Sequence, residues 1–319
     1  MTTSHRSDRG ESEVLFEALE SRVHLAAVAW TGSSGDGLWV TPGNWSGGEV
    51  PVAADDVTVD VPGTPIIQFA GGRREVRSLV LRESLVISSG TLAMVGAGSS
   101  STLGGAVTIQ GAAAGLEVSG AGASAAVSGG IGSVGSVLVG TGASLTLASN
   151  GTWSSGSTLT VAGQLVFASG THVFASGALS GAGAIAFNGG LVTFNGSVSA
   201  ISALVLSSAV TVTFNAPQSL AFISMSSAGV TLGGSGAISV AGGMTMSAGS
   251  LEGSGTITVA GTFEATGTSD KFLYKSIALQ GDVSFLGGGS VWTTSGASTE
   301  SSAGRTWVVA DGTAIRGTG

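Results

Sequence analysis

The chain has 319 residues, of which 55 are glycine, none is cysteine and only 9% are charged. Its 11 Lys and Arg against 19 Asp and Glu give a formal net charge of −8. These proportions exclude a disulfide-stapled mini-domain, a cysteine-ligated zinc or iron–sulfur protein and a basic nucleic-acid binder; hydrophobic residues at 43% also exclude a solvated acidic chain.

Residues 1–12 are polar and of mixed charge and are expected to be disordered. From Ser12 to Ala27 the pattern predicts a short amphipathic helix. Leu15, Leu19 and Val23 recur at i, i+4 and i+8, and Phe16 flanks that face. Ser12 suits the N-cap and Glu13 the first turn. A Sec-type signal is not predicted, because the apolar patch Leu25 to Trp30 is too short and follows Glu11, Glu13, Glu17 and Glu20.

The run Phe16 to Ala27, FEALESRVHLAA, resembles the N-terminal sorting segment of large exported proteins of planctomycete bacteria. Phe16, Glu17, Leu19, Glu20 and Arg22 fall on that pattern; Ser21 stands where proline is usual and His24 where leucine is usual. The resemblance implies export or surface sorting, and it makes residues 1–29 a tail plus sorting segment.

Residues 30–65 differ in composition from the rest. They hold Trp30, Trp39 and Trp45 of the six tryptophans, and Pro42, Pro51, Pro62 and Pro65 of the five prolines. Val57, Val59 and Val61 alternate with Thr58 and Asp60, which predicts a strand, and Pro62-Gly63 marks a turn. The first rung of a stacked sheet exposes an unpaired edge, so this segment is read as an N-terminal cap built on Trp30, Trp39 and Trp45. A sugar-stacking platform is the functional alternative for the same rings. The order Trp30-x-Gly32, Trp39, Asn44-Trp45, Pro51, Asp55-x-Val57 resembles the opening of bacterial autotransporter-like and planctomycete surface proteins, which implies that a parallel β-helix follows. Asp55, Asp56 and Asp60 lack the alternate spacing and glycine turn of a calcium loop and are read as solvated strand-end residues.

Residues 66–319 form the repetitive body, starting at Ile66-Ile67-Gln68-Phe69; Val76 to Leu81 resembles the second coil of the same family. Gly181 to Gly190, Gly234 to Gly243 and Gly253 to Thr262 align with one another, and Ser157 to Gly163 is a shorter copy. Taking Val161, Phe187, Val240 and Val259 as equivalent gives a loose period of roughly 19–27 residues, in the solenoid range. Within each unit short runs alternate in hydrophobicity, as in Thr158 to Val161, Val210 to Phe214 and Thr256 to Val259, which is the period of a half-buried strand. Asn150-Gly151, Asn188-Gly189 and Asn195-Gly196 punctuate these runs. Such pairs suit tight solenoid corners, and they also suit hairpins of an antiparallel sandwich. The shortness of the strands and the recurrence of the unit favour an all-β, right-handed, single-stranded parallel β-helix.

Chemistry is sparse. From Val118 to Leu251 there is no Asp, Glu, Lys or Arg, and His172 is the one titratable side chain. Parallel stacking sets like residue over like, so a repeated charge would repel itself, whereas Ser, Thr and Asn form ladders. Glu117 stands alone; Glu252 and Glu264 flank one unit; His172 has no acid to orient it and is read as a surface or corner residue. Asp270-Lys271, Lys275 and Asp282 are read as a solvated loop with a small ion pair. The sequons at Asn44, Asn150 and Asn195 carry no weight in this background. The segment from Ala200 to Phe214 is broken by Ser202, Ser207, Ser208, Thr211 and Thr213, so no transmembrane helix is expected.

The expectation is a non-catalytic extracellular or cell-surface solenoid, structural or adhesin-like. It has no catalytic, metal or cofactor site and no nucleic-acid partner, and polysaccharide or other cell-surface material is its partner. The alternatives are a carbohydrate-active β-helix enzyme, a polysaccharide lyase or glycosidase, and the stalk of a longer protein, since the run Trp307 to Gly319 carries no recognisable capping unit.

Overall fold

The computed structural model describes residues 26–175, 178–199, 203–294, 299–301, 307–309 and 314–318. These residues form a parallel β-solenoid of about 12 turns. No α-helix occurs among them; the one helical turn is the 3-10 segment Pro42–Asn44. Of the helix expected from Ser12 to Ala27, residues 12–25 lie outside the described residues. At its far end Ala27 instead opens the strand Ala27–Ala29, which pairs in parallel with Asp56 to Thr58.

Each early coil contributes one short strand to each of three sheets. Asp56–Val59, Ile66–Phe69 and Arg73–Val76 make one coil, and Ser78–Leu81, Ser84–Ile87 and Gly90–Met94 make the next. Among the described residues the sheets hold 17, 13 and 7 strands, and strands from successive coils pair in parallel. The longest sheet contains Asp56–Val59, the thirteen-stranded sheet Ile66–Phe69 and the seven-stranded sheet Arg73–Val76. From Gln218 onward the corner between the longest and the seven-stranded sheets opens. Gln218–Met225 runs on as one strand with a register shift between Leu220 and Phe222. Gln218 holds that transition by donating Nε2 to the carbonyls of Ala216 (2.8 Å) and Gly196 (3.0 Å) and accepting from the Val198 amide.

The register corrects the loose period. Ser124, Ser144, Gln164, Ala184 and Ala203 lie over one another, so the coil here is 19–20 residues. Val161 belongs to the seven-stranded sheet and Phe187 to the longest one, so their match joins different faces of the solenoid. Val240 and Val259 are true partners. The strands of a coil share one alternation, so local similarity alone cannot tell them apart.

That alternation fills the interior. Inside the thirteen-stranded sheet Trp153, Phe174, Phe194 and Phe214 form a column with ring centroids 5.0, 4.6 and 5.0 Å apart, all in stacked orientation. Phe167 stacks on Phe187 at 4.7 Å beside it. Stacking of like on like, which would repel charges, here aligns rings.

The corners explain much of the glycine. Where one coil passes over the next, a Cβ on Gly253 would overlap the Gly234 carbonyl, and one on Gly281 the Gly261 carbonyl. Other corners need a left-handed backbone, which Gly170 and Gly190 supply with φ +89° and +88°. Ser208 adopts φ 61° without being glycine, a conformation that costs an L-residue roughly 1–2 kcal/mol. Ser208→Gly is therefore expected to raise stability by about 0.5–1 kcal/mol in urea unfolding, after glycine's own entropic cost. No gain would mean that the Ser208 backbone relaxes in solution.

Candidate functional site

The structure brings Trp30, Trp39 and Trp45 together. Trp45 meets Trp30 edge-on at 4.9 Å and Trp39 at 4.7 Å, and Trp39 packs on Phe69 at 6.0 Å. Their relative exposures are 4, 0 and 2%, so no ring face remains for a sugar and the stacking-platform alternative fails. The Trp45 Nε1–H donates to the Trp39 carbonyl at 2.7 Å. The Trp39 amide donates to the carbonyl of Gln68, and the Gln68 amide to that of Gly37. The cluster therefore lies against the outermost strand of the thirteen-stranded sheet. Asp36 ties the loop beneath by accepting from the Leu38 amide (3.0 Å), the Thr41 hydroxyl (2.7 Å) and Asn44 Nδ2 (2.6 Å). These donors, the Leu38 amide first, hold its carboxyl below the usual carboxylate range. Asn44 is fully buried, which removes it as a glycan acceptor.

Charge gathers on the next coils as pairs between rungs. Asp56 meets Arg77 and Ser78, and Asp60 meets Arg82 at 3.1 Å, each about one coil later. Asp55, read as solvated, is buried and accepts the Val52 amide at 2.8 Å across its own turn. Glu117 is not alone: Arg73 Nη2 donates to its Oε1 at 2.8 Å while Nη1 contacts Glu75. Glu117 also accepts from Ser119 at 2.7 Å. Opposite charges within a strand or one or two rungs apart avoid the repulsion that a ladder of one sign would create. Pro51, Val52, Ala53, Arg73, Arg74 and Glu75 line an open depression beside this group. Arg73 thus bridges the carboxyls of Glu75 and Glu117 through its two terminal nitrogens.

Three basic side chains point into the core instead of outward. His172 is fully buried and sits edge-on to Phe167 at 4.9 Å. Its Nε2–H donates to the Ser169 carbonyl at 3.1 Å, and its Nδ1 is buried without a partner. Burial, opposed by the Ser169 bond, lowers its pKa from the ordinary 6.5. Lys271 and Lys275 are 2 and 1% exposed, so the solvated-loop reading is wrong for both. Lys271 Nζ donates to the Gly267 (3.0 Å) and Ser269 (2.8 Å) carbonyls, and Lys275 Nζ to that of Gly234 (2.9 Å). Their apolar stems fill the interior while the ammonium groups bond to corner backbone. Burial lowers both pKa values from 10.5.

His172 gives a pH prediction with a fixed sign. Neutral in the folded chain, it binds a proton in the unfolded chain below 6.5, so its contribution is present above pH 6.5 and is lost as pH falls below it. Wild type should lose more stability than His172→Leu on acidification from pH 7 to just below 6, as read by urea unfolding. Equal losses would show a solvated imidazole.

Phe16, Glu17, Leu19, Glu20 and Arg22 lie outside the described residues. No described helix is long and apolar enough to cross a membrane, and among the described residues no three His, Asp or Glu gather as metal ligands. No protein-family model, curated protein or solved structure matches this chain.

Proposed function

We propose that this chain is a non-catalytic, extracellular or cell-surface β-solenoid with a structural, adhesin-like role, carried to the surface by a sorting segment that includes Phe16, Glu17, Leu19, Glu20 and Arg22. Right-handed winding belongs to the same proposal, supported by the strong right-handed preference of parallel crossover connections. The observation that carries the reading is the shaft between Val118 and Leu251, which lacks Asp, Glu, Lys and Arg yet is wound around a continuous apolar core. Its outer positions are mostly Ser, Thr, Ala and Gly, with Leu138, Val173 and Leu191 as exposed apolar exceptions, and its corners carry short ladders such as Asn215 to Asn195 at 2.9 Å. A surface of this kind offers hydroxyls and flat sheet at constant spacing and no group for acid–base chemistry. The tryptophan cluster, in this reading, closes the first coil against edge-to-edge association.

Fractionation of cells making the native protein, with N-terminal sequencing of the product, tests this. The reading predicts protein at the surface or in the medium, lacking residues up to about Ala27, where the first described strand begins. Protein retained in the cytoplasm with residues 1–27 intact would overturn it.

A further inference from the structure

One outer face near the last coils breaks the pattern of small side chains. On the thirteen-stranded sheet the outward column runs Thr171, exposed Leu191, then the hydroxyls Thr211, Thr231 and Ser250, and then Phe272, Trp292 and Arg316, each in register with the next. Hydroxyls thus give way to two aromatic rings and a guanidinium. Tyr274 adds a third ring, with its centroid 5.5 Å from that of Phe272. All three rings are half-buried, although the core does not require them: Lys271 and Leu273 of this strand and Lys275 just after it are the inward residues. Among residues of described burial, Phe222 is the one other aromatic that is not buried.

Polar groups frame the rings. Asp270, exposed, accepts the Trp292 Nε1–H at 3.1 Å and the Ser290 amide at 2.9 Å. The Arg316 guanidinium lies 5.4 Å from the Trp292 ring centroid, and its Nε donates to Ser290 Oγ at 3.3 Å. The indole is therefore held from two sides, with little rotamer freedom left to lose on binding.

We propose that Phe272, Tyr274 and Trp292, flanked by Asp270 and Arg316, form a binding site for a neutral polysaccharide chain. Pyranose rings present an apolar C–H face that packs on aromatic rings and a hydroxyl edge that bonds to carboxylate and guanidinium. Neighbouring coils are about 4.8 Å apart and alternate residues along a strand about 7 Å apart, so the three rings cover a patch of sugar-ring size. With exposed Glu252 at the next outward position beside Tyr274, the face carries one excess negative charge, which disfavours an anionic chain. The site supplies the ligand class for the surface role proposed above and rests on that reading for its biological setting.

Affinity electrophoresis of the purified full chain, in gels holding hydroxyethylcellulose, soluble starch or alginate, tests the site. Retardation by at least one neutral polymer and not by alginate is expected. Phe272→Ser and Trp292→Thr, which continue the column's own side chains, should each weaken binding about tenfold. Arg316→Ala, which removes no ring and leaves the Asp270 bond to Trp292, should weaken it about threefold and serves if a ring variant loses its β-sheet circular dichroism. No retardation by either neutral polymer, retardation unaltered by these substitutions, or preference for alginate would overturn the site. The assay uses purified protein, so it is independent of where the cell places the chain; fractionation decides that separately.

Discussion

Phe194→Ala is expected to cost about 3–5 kcal/mol, at the top of the range for an aromatic deleted from a core. Phe194 is 1% exposed and stacks between Phe174 at 4.6 Å and Phe214 at 5.0 Å, with Phe187 edge-on at 6.3 Å. Its removal leaves rings on two neighbouring coils each without one face partner. The backbone cannot close the gap, because coil spacing is set by the parallel ladders on either side. A solenoid coil contacts only its neighbours, so the loss should be local as well as global. Urea unfolding should show the lower stability, and limited proteolysis should cut first between about residues 174 and 214. A cost below about 1 kcal/mol would mean that Phe194 does not stand in an internal column.

Gly261→Ala is the second large effect. Gly242, Gly261 and Gly281 follow one another at a corner, and a Cβ on Gly261 would overlap the Gly242 carbonyl oxygen. The contact is backbone, so no side chain can turn away, and relief requires the corner to open and the ladder between Ile238–Met246 and Phe263–Ala265 to shift. The expected loss is about 3 kcal/mol, the upper part of the usual overpacking range. Gly288→Ala is the control: nothing lies within 4 Å of its Cβ position and its φ is not left-handed. It should change stability by less than about 0.5 kcal/mol. Equal effects at the two glycines would mean that the coils are not stacked at that corner.

The strands were legible because period two is written plainly in runs such as Val210 to Phe214, whose burial alternates as expected. The aromatic segment was legible as a unit, since three tryptophans brought together by short loops have few ways to be buried apart. The coil length was not, because several strands of one coil carry the same pattern and a local match gives no face. The inward polar residues were misread by residue type, although parity held the answer. In Thr171–Phe174, Phe174 points inward and therefore so does His172. In the run Lys271, Leu273, Lys275, Ile277, Leu279 every second residue is buried. The same parity puts Phe272 and Trp292 outside, where rings are unexpected on an all-β surface and therefore informative. The bridge from Arg73 to Glu117 spans 44 residues, and only a known register brings those two positions together.

Engineered disulfides test the parallel stack most directly, because the chain has no cysteine of its own. Ser124 and Ser144 pair in register on adjacent coils, at a strand spacing of about 4.8 Å that falls within disulfide reach. Ser124→Cys/Ser144→Cys should therefore oxidise readily to an intramolecular bridge, seen as a mobility shift reversed by reductant. In an antiparallel hairpin around Ser128 to Gly130, Ala126 would instead face Gly132, residues that the solenoid places on different sheets. Ala126→Cys/Gly132→Cys should stay reduced under the same conditions. A bridge in the second pair and none in the first would contradict the solenoid, and with it the shaft on which the proposed surface role depends.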